Sequence, residues 1–153
     1  MAPGYLGLDI GYEYKPNDDL LFFFSPIAGK TTFVMDKYLS GLGAFGVEAG
    51  KETFSELGAS FRTGYKKESI KNIKIQTFLH LFSSYNNNFG NVDIIWDFLL
   101  LFKITKYINT TIITGLIYND DIDYIDPDGV NHGPKIQFKE IIGVGLTFNL
   151  GNK

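Results

Sequence analysis

At 153 residues the chain is sized for one domain, and its 44% hydrophobic and 16% aromatic content, with 14 Phe and 9 Tyr, favours strands. A net charge of −3 without a dense Lys/Arg run argues against nucleic acid as a partner, and the lack of cysteine excludes disulfides, thiolate metal sites and a cysteine nucleophile. The longest uncharged apolar stretch, Leu20 to Gly29, is interrupted by Ser25 and Pro26 and falls short of the ~18 residues of a membrane-spanning helix.

Tyr5 to Tyr14 alternates strictly, with Leu6, Leu8, Ile10, Tyr12 and Tyr14 on one face and Gly7, Asp9, Gly11 and Glu13 on the other, which predicts a strand. A turn over Lys15-Pro16-Asn17-Asp18-Asp19 leads to a second strand, Leu20 to Ser25. Pro26 with Gly29, Gly41, Gly43, Gly46 and Gly50 then breaks the pattern, so residues 25–53 read as a long loop, with Thr31 to Met35 able to prolong the second strand beyond a bend. A third strand over Glu56 to Tyr65 sets Leu57, Ala59, Phe61, Thr63 and Tyr65 against Glu56, Gly58, Ser60, Arg62 and Gly64. Beyond a turn at Lys66 to Ser69, the fourth sets Ile73, Ile75, Thr77, Leu79 and Leu81 against Lys74, Gln76, His80 and Ser84.

The polar segment Ser84 to Asn91 precedes a fifth strand, in which Val92, Ile94, Trp96, Phe98, Leu100 and Phe102 oppose Asp93, Asp97 and Lys103. A short turn at Lys106-Tyr107 leads to a sixth strand, Ile108 to Tyr118. An acidic loop over residues 119–134 then precedes a last strand, with Phe138, Ile142, Val144, Leu146, Phe148 and Leu150 opposite Gln137, Lys139, Gly143, Gly145, Thr147 and Asn149.

Strands of this length exceed the ~5–6 residues usual in soluble sheets and approach the ~9–11 that cross a bilayer at a tilt. The connections alternate short and long along the chain, as in barrels with short periplasmic turns and long outer loops. Tyr12, Tyr14, Tyr65, Tyr85, Tyr107 and Tyr118 near strand ends suit an aromatic girdle. The expectation is an all-β chain, an antiparallel up-and-down transmembrane β-barrel with about seven or eight visible strands and extracellular loops at 25–53 and 119–134. It belongs in a bacterial cell outer membrane, porin-like in architecture, as a channel or a structural surface barrel. The alternative is a soluble β-barrel binding a small apolar ligand, with the bulky face turned inward.

The segment Gly143-Val144-Gly145-Leu146-Thr147-Phe148-Asn149-Leu150 resembles the C-terminal signal read by the barrel-insertion machinery, with Gly143, Gly145, Leu146, Phe148 and Leu150 as its carriers, although the chain runs on through Gly151-Asn152-Lys153. The strand count is odd, whereas single-chain bacterial barrels are even, and Met1-Ala2-Pro3-Gly4 lacks the features of a secretory signal. Both suggest one N-terminally truncated barrel domain over residues 1–153, with missing N-terminal strands or a partner chain at the edge 5–14 and outer-membrane lipid around it. The motifs Tyr12-Glu13-Tyr14-Lys15-Pro16-Asn17-Asp18, Ser25-Pro26-Ile27-Ala28-Gly29-Lys30, Gly43-Ala44-Phe45-Gly46-Val47 and Gln137 to Leu146 resemble the C-terminal part of an uncharacterised Bacteroidota outer-membrane β-barrel family, catalogued as a domain of unknown function. That resemblance implies a location and no activity.

For chemistry, Glu13, Glu56, Arg62, Lys74, His80, Asp93, Asp97 and Lys103 form a candidate lumenal charge network, which either tunes a pore or satisfies itself. Asp121, Asp123, Asp126 and Asp128 offer oxygen ligands for loop calcium, without EF-hand spacing, and a solvated acidic loop is the better explanation of them. No other cofactor is expected, and His80 with Ser83 or Ser84 is the only pairing from which catalysis could be imagined, so no enzyme is expected. Gly29-Lys30-Thr31-Thr32 and Gly43-Ala44-Phe45-Gly46 lack the full spacing of a phosphate loop and read as loop backbone.

Overall fold

The computed structural model describes residues 3–41, 46–70, 72–86, 89–126 and 128–146. Seven strands form one antiparallel meander: β1 (Gly4–Asn17), β2 (Leu20–Phe33), β3 (Thr53–Ile70), β4 (Ile73–Ser84), β5 (Asp93–Lys103), β6 (Ile108–Tyr118) and β9 (Gln137–Leu146). A short helix, α1 (Lys37–Gly41), lies between β2 and β3, and a small hairpin of β7 (Asp123–Ile125) and β8 (Asn131–Pro134) lies between β6 and β9. The expected up-and-down antiparallel sheet is therefore present. Among the described residues it ends at β1 on one side and β9 on the other with no ladder between them, so the described sheet is open.

Connections at one end, the turn end, are short: Asn17 to Leu20, Ile70 to Ile73 and Lys103 to Ile108. The first is held by the Asn17 carboxamide oxygen, which accepts the Asp19 N–H at 3.0 Å. Asn72 in the second has φ +76°, a left-handed conformation that asparagine tolerates better than most residues. The opposite, loop end carries α1, the 85–92 connection and the β7–β8 hairpin. Asp36 caps α1 by accepting the N–H groups of Tyr38 and Leu39 at 2.9 and 3.1 Å.

Proline in an interior strand removes a ladder donor, and β2 accommodates Pro26 with a bulge. Ser25 lies opposite Ser60 and Ala28 opposite Gly58, so β2 carries one residue more than β3 there, and its ladder with β1 slips at the same place. The buried Ser25 hydroxyl shares its proton between the carbonyls of Ile10 and Ile27, 2.8 and 2.7 Å away. Gly11 sits in the slip, where a Cβ would stand 2.2 Å from the Phe24 carbonyl oxygen. The Tyr85 hydroxyl donates to the Pro26 carbonyl at 2.9 Å.

One extra residue reverses the side to which following side chains point. Leu21, Phe23 and Ser25 share a face with Ala28, Lys30 and Thr32. This corrects the reading of residues 25–53 as loop: residues 25–33 are strand, and the loop begins at Val34. Likewise β3 starts at Thr53 and continues through Lys66 to Ser69, because Lys66 and Lys67 still find ladder partners in Gln76 and Ile75, so the turn falls after Ile70.

Lys30 of β2 and Asp93 of β5 stand three strands apart, about 14 Å across a flat sheet. Their side chains nevertheless meet at 2.7 Å. The sheet thus curls toward the face that carries Asp9, Lys30, Glu56, Arg62 and Asp93, and its bulky apolar face is convex. Among the described residues the buried apolar side chains are Ala28, Val34, Val47 and Phe82, none of them on the convex face of the sheet.

Candidate functional site

The chemistry concentrates on the concave face near the loop end. Lys30 bridges Glu56 on β3 and Asp93 on β5, with Nζ to carboxylate distances of 3.1 and 2.7 Å, and its ammonium also lies 5.3 Å from the Phe82 ring centre. The Glu56 side chain is only 2% exposed, so its charge depends on this partner. Beside it, Arg62 pairs with Asp9 on β1 and rests 5.2 Å over the Phe23 ring, while the Ser60 hydroxyl donates to the other Asp9 oxygen at 3.0 Å. Each cation is thus held by carboxylates and by an aromatic face. His80 stands opposite Arg62 in the ladder, and its Nε2 is buried without a hydrogen-bond partner among the described residues.

The connection after β6 closes over this cluster. The Asp120 N–H donates to Asp93 at 3.0 Å, and the Asp120 carboxylate accepts from the Asn91 side chain and, at 3.3 Å, from the Tyr118 hydroxyl. Asp121 turns inward to line a small void with Glu56, Asp93 and Asp120. Burial there pushes its carboxyl above the ordinary range, and the nearby Asp93 charge adds to the rise.

Of the network expected from sequence, Glu56, Arg62, His80 and Asp93 are brought together, and Asp9 and Lys30 complete it. The remainder are elsewhere. Glu13 pairs with Lys15 at 2.8 Å and Lys74 with Glu68 at 3.1 Å, both toward the turn end, while Asp97 and Lys103 form no ion pair among the described residues. Asp9 was legible as a polar-face residue of the first strand. Lys30 was not, because the bulge reverses the alternation just ahead of it.

The aspartates considered for calcium do not converge, and among the described residues no group of three or more His, Asp or Glu side chains could hold a metal ion. Asp121 faces inward, Asp123 accepts from the Asn131 side chain, and Asp126 fastens the β7–β8 hairpin. One Asp126 oxygen accepts the N–H groups of Asp128 and Val130 at 3.0 and 2.8 Å, and the other lies 2.8 Å from His132 Nε2. The His132 contact, followed by that of Val130, holds the Asp126 carboxyl below its ordinary value. His80 and Ser83 belong to opposite faces of β4, and the Ser84 hydroxyl bonds Asn86 at 2.9 Å. Of the insertion-signal residues, Gly143, Gly145 and Leu146 end β9, whereas Phe148 and Leu150 lie outside the described residues.

Next to the ion pairs is a cavity of about 390 Å³, walled by Tyr5 of β1, Phe82, Ile95, Ile117 and Ile122. The convex face contrasts with it. Leu6, Leu8, Ile10, Phe24, Ile27, Leu57, Phe138, Ile142, Val144 and Leu146 are all at least half exposed there. Some polar groups on that face bond within the sheet: the Trp96 indole donates to Thr77 Oγ1 at 2.9 Å, the Thr77 hydroxyl donates to the Asp97 carbonyl at 3.0 Å, and Thr31 and Ser55 share a hydrogen bond of 3.0 Å. Glu140, opposite Thr114 on β9, is the one carboxylate on this face among the described sheet residues. Comparison with protein-family models, curated proteins and solved structures gives no match.

Proposed function

We propose that this chain is part of a bacterial outer-membrane β-barrel, a channel or structural surface barrel rather than an enzyme, delivered by the barrel-insertion machinery and surrounded by outer-membrane lipid. The observation that carries the reading is the convex face. In a chain that is 44% hydrophobic, the convex face exposes a continuous array of large apolar side chains, while among the described residues only Ala28, Val34, Val47 and Phe82 are buried apolar ones. Water opposes such a surface, since monomeric soluble proteins seldom expose contiguous apolar patches beyond a few hundred Å². Lipid favours it, and the internal pairing of Trp96, Thr77, Thr31 and Ser55 suits a medium without hydrogen-bonding partners. Sheet strands of 10 to 18 residues are long enough to cross the hydrocarbon layer at a tilt. The resemblance to the Bacteroidota barrel family points the same way.

A second reading, a β-barrel that binds a small apolar ligand, draws on the 390 Å³ cavity, which falls within the range of about 300–1,000 Å³ common for ligand sites. In its soluble form it needs the bulky face inside, and here that face is outside. One experiment separates them. Leu100→Arg and Ile94→Arg on the convex face are expected to impair folding into lipid vesicles by about 2–4 kcal/mol at mid-membrane, while Asp97→Leu on the concave face has little effect. Equal effects in all three variants, or a chain that stays folded and monomeric in detergent-free buffer, would sink the membrane reading.

A further inference from the structure

The meander gives its two open edges the same polarity. Both β1 and β9 run from the loop end to the turn end, because an up-and-down sheet of seven strands begins and ends in the same direction. Joining them directly would make a parallel pair in an otherwise antiparallel sheet, and among the described residues the two are not joined. The β1 edge is also long and unprotected: Tyr5, Leu6, Leu8, Ile10, Tyr12 and Tyr14 are each more than 60% exposed. An apolar edge without a partner strand is a template for another strand. Any closure that keeps the sheet antiparallel needs an odd number of additional strands.

The curl indicates how many. Lys30 reaches from β2 to Asp93 on β5, and Tyr5 of β1 faces Ile117 of β6 and Ile122 beyond it across one 390 Å³ cavity. The outer parts of β1 and β6 thus already stand on opposite walls of the same small space. A barrel of about eight strands has an interior just wide enough to be filled by side chains or one small ligand, whereas wide barrels hold their walls too far apart for such contacts.

We propose that the seam between β1 and β9 takes a single strand running from the turn end to the loop end, and that it closes an eight-stranded barrel. The inference rests on the membrane reading in one respect: two copies inserted with the same orientation present only edges of like polarity, which excludes a second copy as an antiparallel partner. The closed barrel has no open pore at the level of Lys30, Phe82 and Asp93, whose side chains occupy its middle. The incoming strand is to carry small or polar residues at alternate positions facing the lumen and bulky apolar ones facing out, like the ladder on either side of it.

The test compares the chain alone with two extended forms, both in lipid vesicles. One carries a copy of the β6 sequence, Ile108–Tyr118, ahead of Gly4 through a flexible linker long enough only for a loop-end connection. The other carries the same copy on a linker long enough to span the sheet, which lets the strand enter in either direction. Both extended forms are expected to be monomeric and to slow amide exchange at Leu6, Leu8 and Ile10 by tenfold or more, with the added strand antiparallel to β1 in each by spin-label distances. A β1 edge that exchanges as fast with either extension as without, or an added strand parallel to β1, overturns the proposal. So does a chain that closes or dimerises by itself, recognised by a disulfide between Leu8→Cys and Ile142→Cys or by a dimer mass. If Leu100→Arg and Ile94→Arg leave vesicle insertion intact while the added strand still protects β1, the membrane reading falls and the seam assignment stands.

Discussion

The concave face is two different surfaces. Across β1 to β3 it presents Asp9, Lys30, Glu56, Ser60 and Arg62, bound to one another and, through Lys30, to Asp93. Across β5, β6 and β9 it presents Ile95, Leu99, Leu101, Ile113, Ile117 and Ile141, of which Ile95, Ile113, Ile117 and Ile141 are 38–45% exposed. The charged half holds the curl, because its ion pairs cross strands. The aliphatic half supplies wall and carries no cross-strand ion pair among the described residues.

The sharpest way to break this comparison is Lys30→Met, which strips the partner from the nearly buried Glu56. The expected loss is about 3–5 kcal/mol in urea unfolding from lipid, with much of it regained in the double variant Lys30→Met/Glu56→Gln, while Ile117→Ser on the other half costs under about 0.5 kcal/mol. Equal losses at Lys30 and Ile117 would erase the distinction. A smaller effect is expected at Gly11, where Ala would press a methyl group against the Phe24 carbonyl and disturb the bulge that aims Lys30. A cost of about 1–3 kcal/mol, together with weaker coupling between Lys30 and Glu56 in a double-mutant cycle, would tie the bulge to the charged half.

The smallest effect lies outside the sheet. Asp126 is part-buried against His132, and its folded-state pKa is depressed, so the stability it lends the β7–β8 hairpin is present above the ordinary carboxylate value of about 4 and is lost as pH falls through its lower folded value. Amide exchange at Asp128 and Val130 is expected to stay slow near neutrality and to accelerate only in strong acid, with Asp126→Asn abolishing the acid step and the rest of the sheet unaffected. Loss of protection at both amides already at pH 6 would contradict the arrangement.

The sequence by itself determined the strands whose alternation is uninterrupted. The period-2 pattern of Tyr5 to Tyr14, of Glu56 to Tyr65 and of Val92 to Phe102 follows from the pleat, so their faces could be read directly, as could the alternation of short and long connections. Glu56, Arg62, His80 and Asp93 were placed on one face for the same reason. Only the tertiary structure decided that Leu20 to Phe33 is a single strand, because a bulge hides behind Pro26 and shifts Lys30 onto the face from which local reading excludes it. It also decided which charges pair. Ion pairing depends on the curl of the sheet, and the curl is a property of the assembled ladders that no single strand carries.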